Sequence, residues 1–229
     1  MRQLALEIRL ADHAVFDNFV AAGNELAIHE LREAASTSDQ PMVWLWGPPE
    51  SGRSHLLQAS VAAADEHGRR AAYLPLIRDL GVPAAALEGF GSFALVALDD
   101  IDAIAGDPRF ERAVFRLFEQ LRASGGRLVV AASAPPAELP FGLPDLASRL
   151  TSGGVYRVLP LDDAGRLEAL RVRAHFRGLD LPDDTGHYLL QRAPRGAASL
   201  FQLLDRLDQA SLVARKRLTI PFVREVLGA

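Results

Sequence analysis

Apolar residues along this chain fall into two rhythms, and the change from one to the other divides it. The N-terminal Met1–Ala11 stretch alternates Leu4, Leu6, Ile8 and Leu10 with Ala5, Glu7 and Arg9, as an extended segment with one apolar side would. After a stretch from Asp12 to Gly23, a helix is predicted from about Asn24 to Ala35, with Asn24 as its cap. Polar residues from Ser36 to Gln40 then link it to a strand over Met42 to Trp46. Short apolar runs next alternate with helical patterns: a helix to about His67, strands over Ala71–Pro75 and Phe93–Leu98, and a helix over Phe110–Arg122. That helix carries Phe110, Val114, Leu117, Phe118 and Leu121 on one stripe. Strands over Arg127–Ala132 and Gly154–Val158 complete the alternation, which is the mark of a parallel sheet covered by helices. From Asp162 onward only helical periods remain: Asp163–Arg177, Asp183–Arg192, Ala197–Ala214 and Ile220–Leu227. The first opens on the acidic turn Leu161-Asp162-Asp163 and closes at Gly178. The predicted architecture is an α/β domain over 12–159, preceded by a separable tail over 1–11 and followed by a small all-helical lid over 160–229.

Composition narrows the chemistry. A chain of 229 residues with 49% apolar and 24% charged residues has the makings of a proper core. It holds no cysteine, which excludes disulfides and cysteine zinc sites and suits a reducing cytoplasm. No apolar run reaches the length of a membrane span, and no apolar signal core opens the chain. A net charge of −4 is the wrong sign for a protein that grips DNA chiefly through its phosphates.

Between the first strand and its helix lies Gly47-Pro48-Pro49-Glu50-Ser51-Gly52-Arg53-Ser54-His55, which keeps the spacing of a P-loop and replaces its lysine by arginine. Backbone N–H groups from Gly47 to Ser54, with the N-terminus of the following helix, form an anion cradle that needs no lysine. Ser54 supplies a hydroxyl for magnesium. Lysine is a compact point charge, whereas the guanidinium of Arg53 is a broad planar fork that attracts phosphate but is poorly shaped for transfer of a terminal group. A ligand-free Gly/Pro turn is the plain alternative; strand, glycine loop and helix in succession favour the nucleotide.

Further stations follow. The run Ala94-Leu95-Val96-Ala97-Leu98-Asp99-Asp100 ends an apolar strand in two carboxylates, Asp99 suited to hold magnesium and Asp100 to orient water, or both simply to open a turn. Ser133 follows another strand, where a polar residue can sense a terminal phosphate or merely sit in a loop. Arg149 ends the short helical segment Leu143–Leu150; it is either a partner for helix-end carbonyls or an arginine finger offered to a neighbour's nucleotide. Six histidines are scattered without metal spacing, and Arg215-Lys216-Arg217 forms a short basic patch whose default reading is a solvated helix end.

In this order the stations resemble the AAA+ ATPases and, within them, the DnaA-related group. The stretch His13-Ala14-Val15-Phe16-Asp17-Asn18-Phe19-Val20 is similar to the segment with which that group lines its adenine site, which implies roles for Phe16, Asn18 and Phe19. Gly52–Leu57, Gly142–Leu150 and Leu218–Val223 resemble the Hda-type regulatory inactivators, and the chain stops at Ala229 with no room for the initiator's helix-turn-helix. The resemblance implies that Gln3, Leu4 and Leu6 dock on the replisome sliding clamp, the DNA polymerase III beta subunit, as an extended peptide in a groove. It implies ADP or ATP, with Mg2+ as a candidate companion, held by Gly47, Pro48, Glu50, Ser51, Gly52, Arg53, Ser54, His55 and Ser133. The phosphate-sensing arginine of the lid would fall at Ala198, with Arg195 one turn earlier as its substitute.

The expected protein is therefore a cytoplasmic, clamp-bound, ADP-bound regulator that stimulates ATP hydrolysis by DnaA through Arg149 and so prevents re-initiation. Contact with DNA would be indirect, through the clamp; a homo-oligomer is open, and no membrane is involved. Two rivals stand beside it: an autonomous ATPase such as a helicase loader, catalysing with Asp99, Asp100 and Ser133, and a DNA-tethering adaptor using the basic patch.

Overall fold

The computed structural model describes residues 14–36, 42–76, 83–192, 197–214 and 216–228, with the side chains of 197 and 198 left aside. Gln3, Leu4, Leu6, His13, Arg195 and Arg215 lie outside these residues, and Ala198 enters only through its backbone. The chain divides into two compact units, one comprising residues up to Phe19 with Asn24–Val158, the other Val20–Gly23 with Leu159 onward.

The first unit is built on five parallel strands: β1 (Met42–Trp46), β2 (Ala71–Pro75), β3 (Leu95–Asp99), β4 (Arg127–Ala132) and β5 (Gly154–Arg157), in the order β2-β3-β4-β1-β5. Side chains alternate across the sheet with the period of two that a strand imposes. Met42, Trp44, Val96, Leu98, Leu128 and Val130 enter one core with Val114, Leu117, Phe118 and Leu121 of α3 (Pro108–Ser124) and Leu146 and Leu150 of α4 (Pro144–Leu150). Val43, Leu45, Leu95, Ala97, Val129 and Ala131 enter the other, with Leu31 of α1 (Glu25–Ser36) and Leu56, Leu57 and Val61 of α2 (Arg53–Glu66). A sheet buried on both faces needs near-continuous apolar strands, which is why these runs show no polar alternation. Each fully buried large side chain contributes about 1.5–3 kcal/mol relative to exposure.

Helix ends follow sequence signals. Asp107 precedes Pro108 and its carboxylate accepts from the Arg109 N–H at 2.9 Å, while Gly125 closes α3 in the left-handed region at φ +76°. Helix α3 is therefore a turn longer than the apolar stripe alone predicts, and β3 begins and ends later than Phe93–Leu98 because its register runs from Leu95 to Asp99. A 3-10 helix over Ala84–Phe90, absent from the sequence reading, packs Leu87 under α3.

The second unit holds α5 (Asp163–Phe176), α6 (Asp183–Arg192), α7 (Ala197–Ala214) and α8 (Ile220–Leu227) around Leu170, Leu189, Leu204, Leu207, Leu218, Phe222 and Val223. Asp162 caps α5 by accepting from the Gly165 N–H at 2.7 Å. Lys216 of the basic patch pairs with Glu225 at 2.8 Å.

Candidate functional site

Register decides what meets at the carboxyl edge of the sheet. Trp46 stands beside Ala132, and Leu98 beside Val130, so the segments leaving β1, β3 and β4 emerge together. They are the phosphate loop, Asp99-Asp100 and Ser133. In open parallel sheets this edge is where ligands bind.

The loop is shaped by two glycines that nothing larger could replace. A Cβ on Gly47 would lie 2.4 Å from the Val158 carbonyl oxygen, and one on Gly52 would lie 2.6 Å from the Phe19 ring, with Gly52 also at φ +97°. Glu50 adopts φ +62°, a costly choice for a residue with a Cβ. Helix α2 begins at Arg53, so its first-turn amides point back into the loop with no carbonyl one turn earlier to accept them. Two buried polar atoms beside them have no hydrogen-bond partner: Ser51 Oγ and Arg53 Nη1. Unsatisfied buried donors are costly, and together with a helix N-terminus they fit an anion such as a nucleotide phosphate. Pro48, Glu50 and Ser54 are exposed along the loop.

The two carboxylates after β3 are held differently. Asp99 is 2% exposed; its Oδ2 accepts from the Tyr73 hydroxyl at 2.7 Å and its Oδ1 from the Asp100 N–H at 3.0 Å. Tyr73 stands opposite Ala97, so it shares the sheet face of Ala97 and Asp99 and reaches one residue pair along. Burial and then the Asp99 charge push its phenol well above the usual range. Asp100 sits in the left-handed region at φ +53° and faces Arg53 Nη2 at 3.9 Å. Burial first, then Asp99, raises its carboxyl above the usual range, and Arg53 acts in the opposite direction. Asp99 thus has little exposure, and each of its oxygens accepts one hydrogen bond. Among the described residues no cluster of three or more histidines, aspartates or glutamates could hold a metal.

Ser133 contributes its backbone rather than its hydroxyl to this network: its N–H donates to both oxygens of Asp102, at 3.1 and 2.9 Å. Phe16 is buried in the α1/α2 core with Arg32 stacked 4.8 Å over its ring, and Asn18 Oδ1 accepts from the Val15 N–H within the same turn. Phe19 lies 5.3 Å from the His55 ring, and His55 Nε2 lies 3.0 Å from the Val15 carbonyl oxygen, so the segment ahead of α1 is tied to the phosphate loop.

Arg149 stands in the last turn of α4, its side chain 40% exposed, with Nε 3.0 Å from Glu119 Oε1 on α3. The approach to α4 is pinned by Glu111, a 1% exposed carboxylate that accepts from the N–H groups of Gly106, Gly142 and Leu143 at 2.7, 3.0 and 2.7 Å. Sequence reasoning did not find Tyr73, Asp102, Glu111 or Glu119. Asp102, three residues after Asp99, was the one with a local signal; the others are brought in by pairing and packing.

Residues 163–227 match the family model for the Hda lid domain. Domain III of the Thermotoga maritima replication initiation protein DnaA superposes with a TM-score of 0.78 at 21% identity, covering 95% of this chain and 97% of that one. DnaA from Aquifex aeolicus bound to AMPPCP gives 0.65 at 23% identity; 80% of this chain is covered, and it spans 61% of that longer protein. The Thermotoga maritima RuvB Holliday junction branch migration motor gives 0.61 at 16% identity, over 91% of this chain and 67% of that one. At 16–23% identity these likenesses show a shared fold, and the family-model match is confined to the helical segment over 163–227.

Proposed function

From the likeness of this chain to the Hda-type, DnaA-related AAA+ proteins we propose that it is a nucleotide-holding regulator that switches off the replication initiator DnaA. The observation that carries the reading is an Hda-type lid attached to a P-loop with arginine at the lysine position. In this reading the loop from Gly47 to Ser54 holds ADP or ATP, its amides and the Arg53 guanidinium facing the phosphates. Bound nucleotide supplies a polyanion that satisfies Ser51 Oγ and Arg53 Nη1. Arg53 keeps the phosphates in place and, as a planar fork reaching toward Asp100, is ill suited to follow a transferring group. The reacting bond belongs to the partner.

Arg149 is the finger. Its half-exposed guanidinium reaches the ATP held by DnaA, where such a charge is worth roughly 10³–10⁵ in rate. Gln3, Leu4 and Leu6 anchor the protein to the sliding clamp, which brings it to DNA indirectly, and the cytoplasm is its compartment. Purified protein, DNA-loaded clamp and ATP-bound DnaA are mixed and phosphate release is followed. Stimulation is expected from the wild type and not from Arg149→Ala; equal stimulation by both removes Arg149 from the role.

An autonomous ATPase is the second reading, favoured by the Asp99-Asp100 pair beside the phosphate loop. Steady turnover by the isolated chain, lost in Asp100→Asn, supports it.

A further inference from the structure

His55 serves the phosphate loop with its backbone and a neighbouring segment with its ring; what the ring does for a ligand rests on the nucleotide reading above. We propose that His55 is a positioning residue for the nucleoside half of the ligand. Its side chain fastens the turn over residues 15–19 beside the loop, as the wall against which the nucleoside lies.

His55 is the third residue of α2, so its backbone N–H belongs to the helix end that favours an anion. Its ring meets the segment ahead of α1. Nε2 lies 3.0 Å from the Val15 carbonyl oxygen, and because a carbonyl only accepts, Nε2 carries the proton. The Phe19 ring lies 5.3 Å from the imidazole at 59°, and a Cβ on Gly52 would strike that same ring at 2.6 Å. Both ends of the turn are thereby held to the head of α2, Val15 by a hydrogen bond and Phe19 by ring packing.

The turn has little of its own to keep it there. It is a 3-10 helix of three residues, Phe16–Asn18, closed by the Asn18 N–H to the Val15 carbonyl at 3.3 Å and the Phe19 N–H to the Phe16 carbonyl at 3.2 Å. So short a helix does not persist by local bonds alone. Phe16, buried in the α1/α2 core, fixes its middle. Its edges toward the loop depend on His55 and Phe19. A nucleotide with its phosphates at the head of α2 can lay its nucleoside toward β3 or toward this turn. Toward β3 it meets the carboxylates of Asp99 and Asp100; toward the turn it meets an aromatic ring and main chain. A flat, largely apolar base favours the second.

The test is calorimetric titration of the full chain with ADP and, separately, with inorganic pyrophosphate, which carries the phosphates without the nucleoside. The wild type should bind ADP more tightly than pyrophosphate by about tenfold or more. His55→Leu, which keeps bulk and loses the donor, should weaken ADP by about tenfold and pyrophosphate by less than about threefold. His55→Gln, whose amide restores a donor, should bring ADP back to within about threefold of the wild type. Hydrogen exchange gives a readout that needs no ligand. The Asn18 and Phe19 amides should exchange about tenfold faster in His55→Leu, with the amides of residues 57–61 in α2 unchanged. Equal weakening of both ligands by His55→Leu, or of neither, overturns the proposal, as does unchanged exchange at Asn18 and Phe19. ADP binding by His55→Gln no better than by His55→Leu overturns the part given to the hydrogen bond. A wild type that binds neither ligand is a different failure: it removes the nucleotide reading itself.

Discussion

Arg149 and Glu119 face each other across α4 and α3 with 3.0 Å between Nε and Oε1, and Arg122 approaches the same carboxylate at 3.6 Å. The proposed finger is therefore parked on its own molecule. Both side chains are substantially exposed, at 40% and 33%, so the pair is screened and worth less than about 1 kcal/mol. Releasing Arg149 by Glu119→Gln should raise stimulation of DnaA hydrolysis, by no more than about fivefold, since that is what 1 kcal/mol allows. Phosphate release at several DnaA concentrations measures it. A loss of stimulation would mean that Glu119 orients the finger rather than restraining it.

Glu111 fixes the approach to the helix that carries Arg149. Its carboxylate accepts three backbone N–H groups, two of them from Gly142 and Leu143 just ahead of α4. Hydrogen bonds to a buried charge are worth more than neutral ones, and removal of the acceptor leaves three donors unpaired. Glu111→Ala should destabilise the α/β unit by about 3 kcal/mol or more, read from denaturant unfolding. A loss below about 1 kcal/mol would show that water replaces the carboxylate without cost.

Gly52 is needed for its missing side chain. Its φ of +97° and the 2.6 Å approach of a Cβ to the Phe19 ring both oppose replacement. Gly52→Ala should weaken ADP binding by about tenfold or more, because strain of roughly 1–3 kcal/mol is relieved only by moving the loop. Gly68 offers the control, since it has φ +69° but open space around it. Gly68→Ala should leave ADP affinity unchanged in the same calorimetric titration.

Tyr73 also predicts an alkaline signature. An unfolded phenol ionises near pH 10, while burial and Asp99 raise the folded one. Between the two values the folded state keeps a proton that the unfolded state has lost. Stability is therefore fully present below about pH 10 and falls as pH rises, with a slope of at most about 1.4 kcal/mol per unit from this group. Tyr73→Phe should flatten that slope and delete the most alkaline step in phenolate absorbance. Tyr156, also raised by burial and then by Glu30, is subtracted with Tyr156→Phe.

How much of this was legible beforehand can be argued element by element. The short apolar runs Met42–Trp46 and Arg127–Ala132 and the stripe on α3 are local, and they located strands and helix to within a residue or two. The turn from β1 into α2 was legible because its spacing is itself local: glycines where the backbone turns and an arginine at the head of α2. The 3-10 helix Ala84–Phe90 was not, since a single buried leucine sets no period.

By itself the amino-acid order determined the α/β alternation, the helical C-terminal segment, the arginine in the phosphate loop and the paired aspartates after the third strand. Those features are encoded by neighbours in the chain, where periodicity and backbone preference act. Only tertiary structure decided that Tyr73 would hold Asp99, that Arg53 would face Asp100, and that Glu119 would meet Arg149, because each pair joins elements whose register and packing are set by burial across the whole sheet. Whether a carboxylate is free for chemistry depends on such partners, and they are distant in sequence.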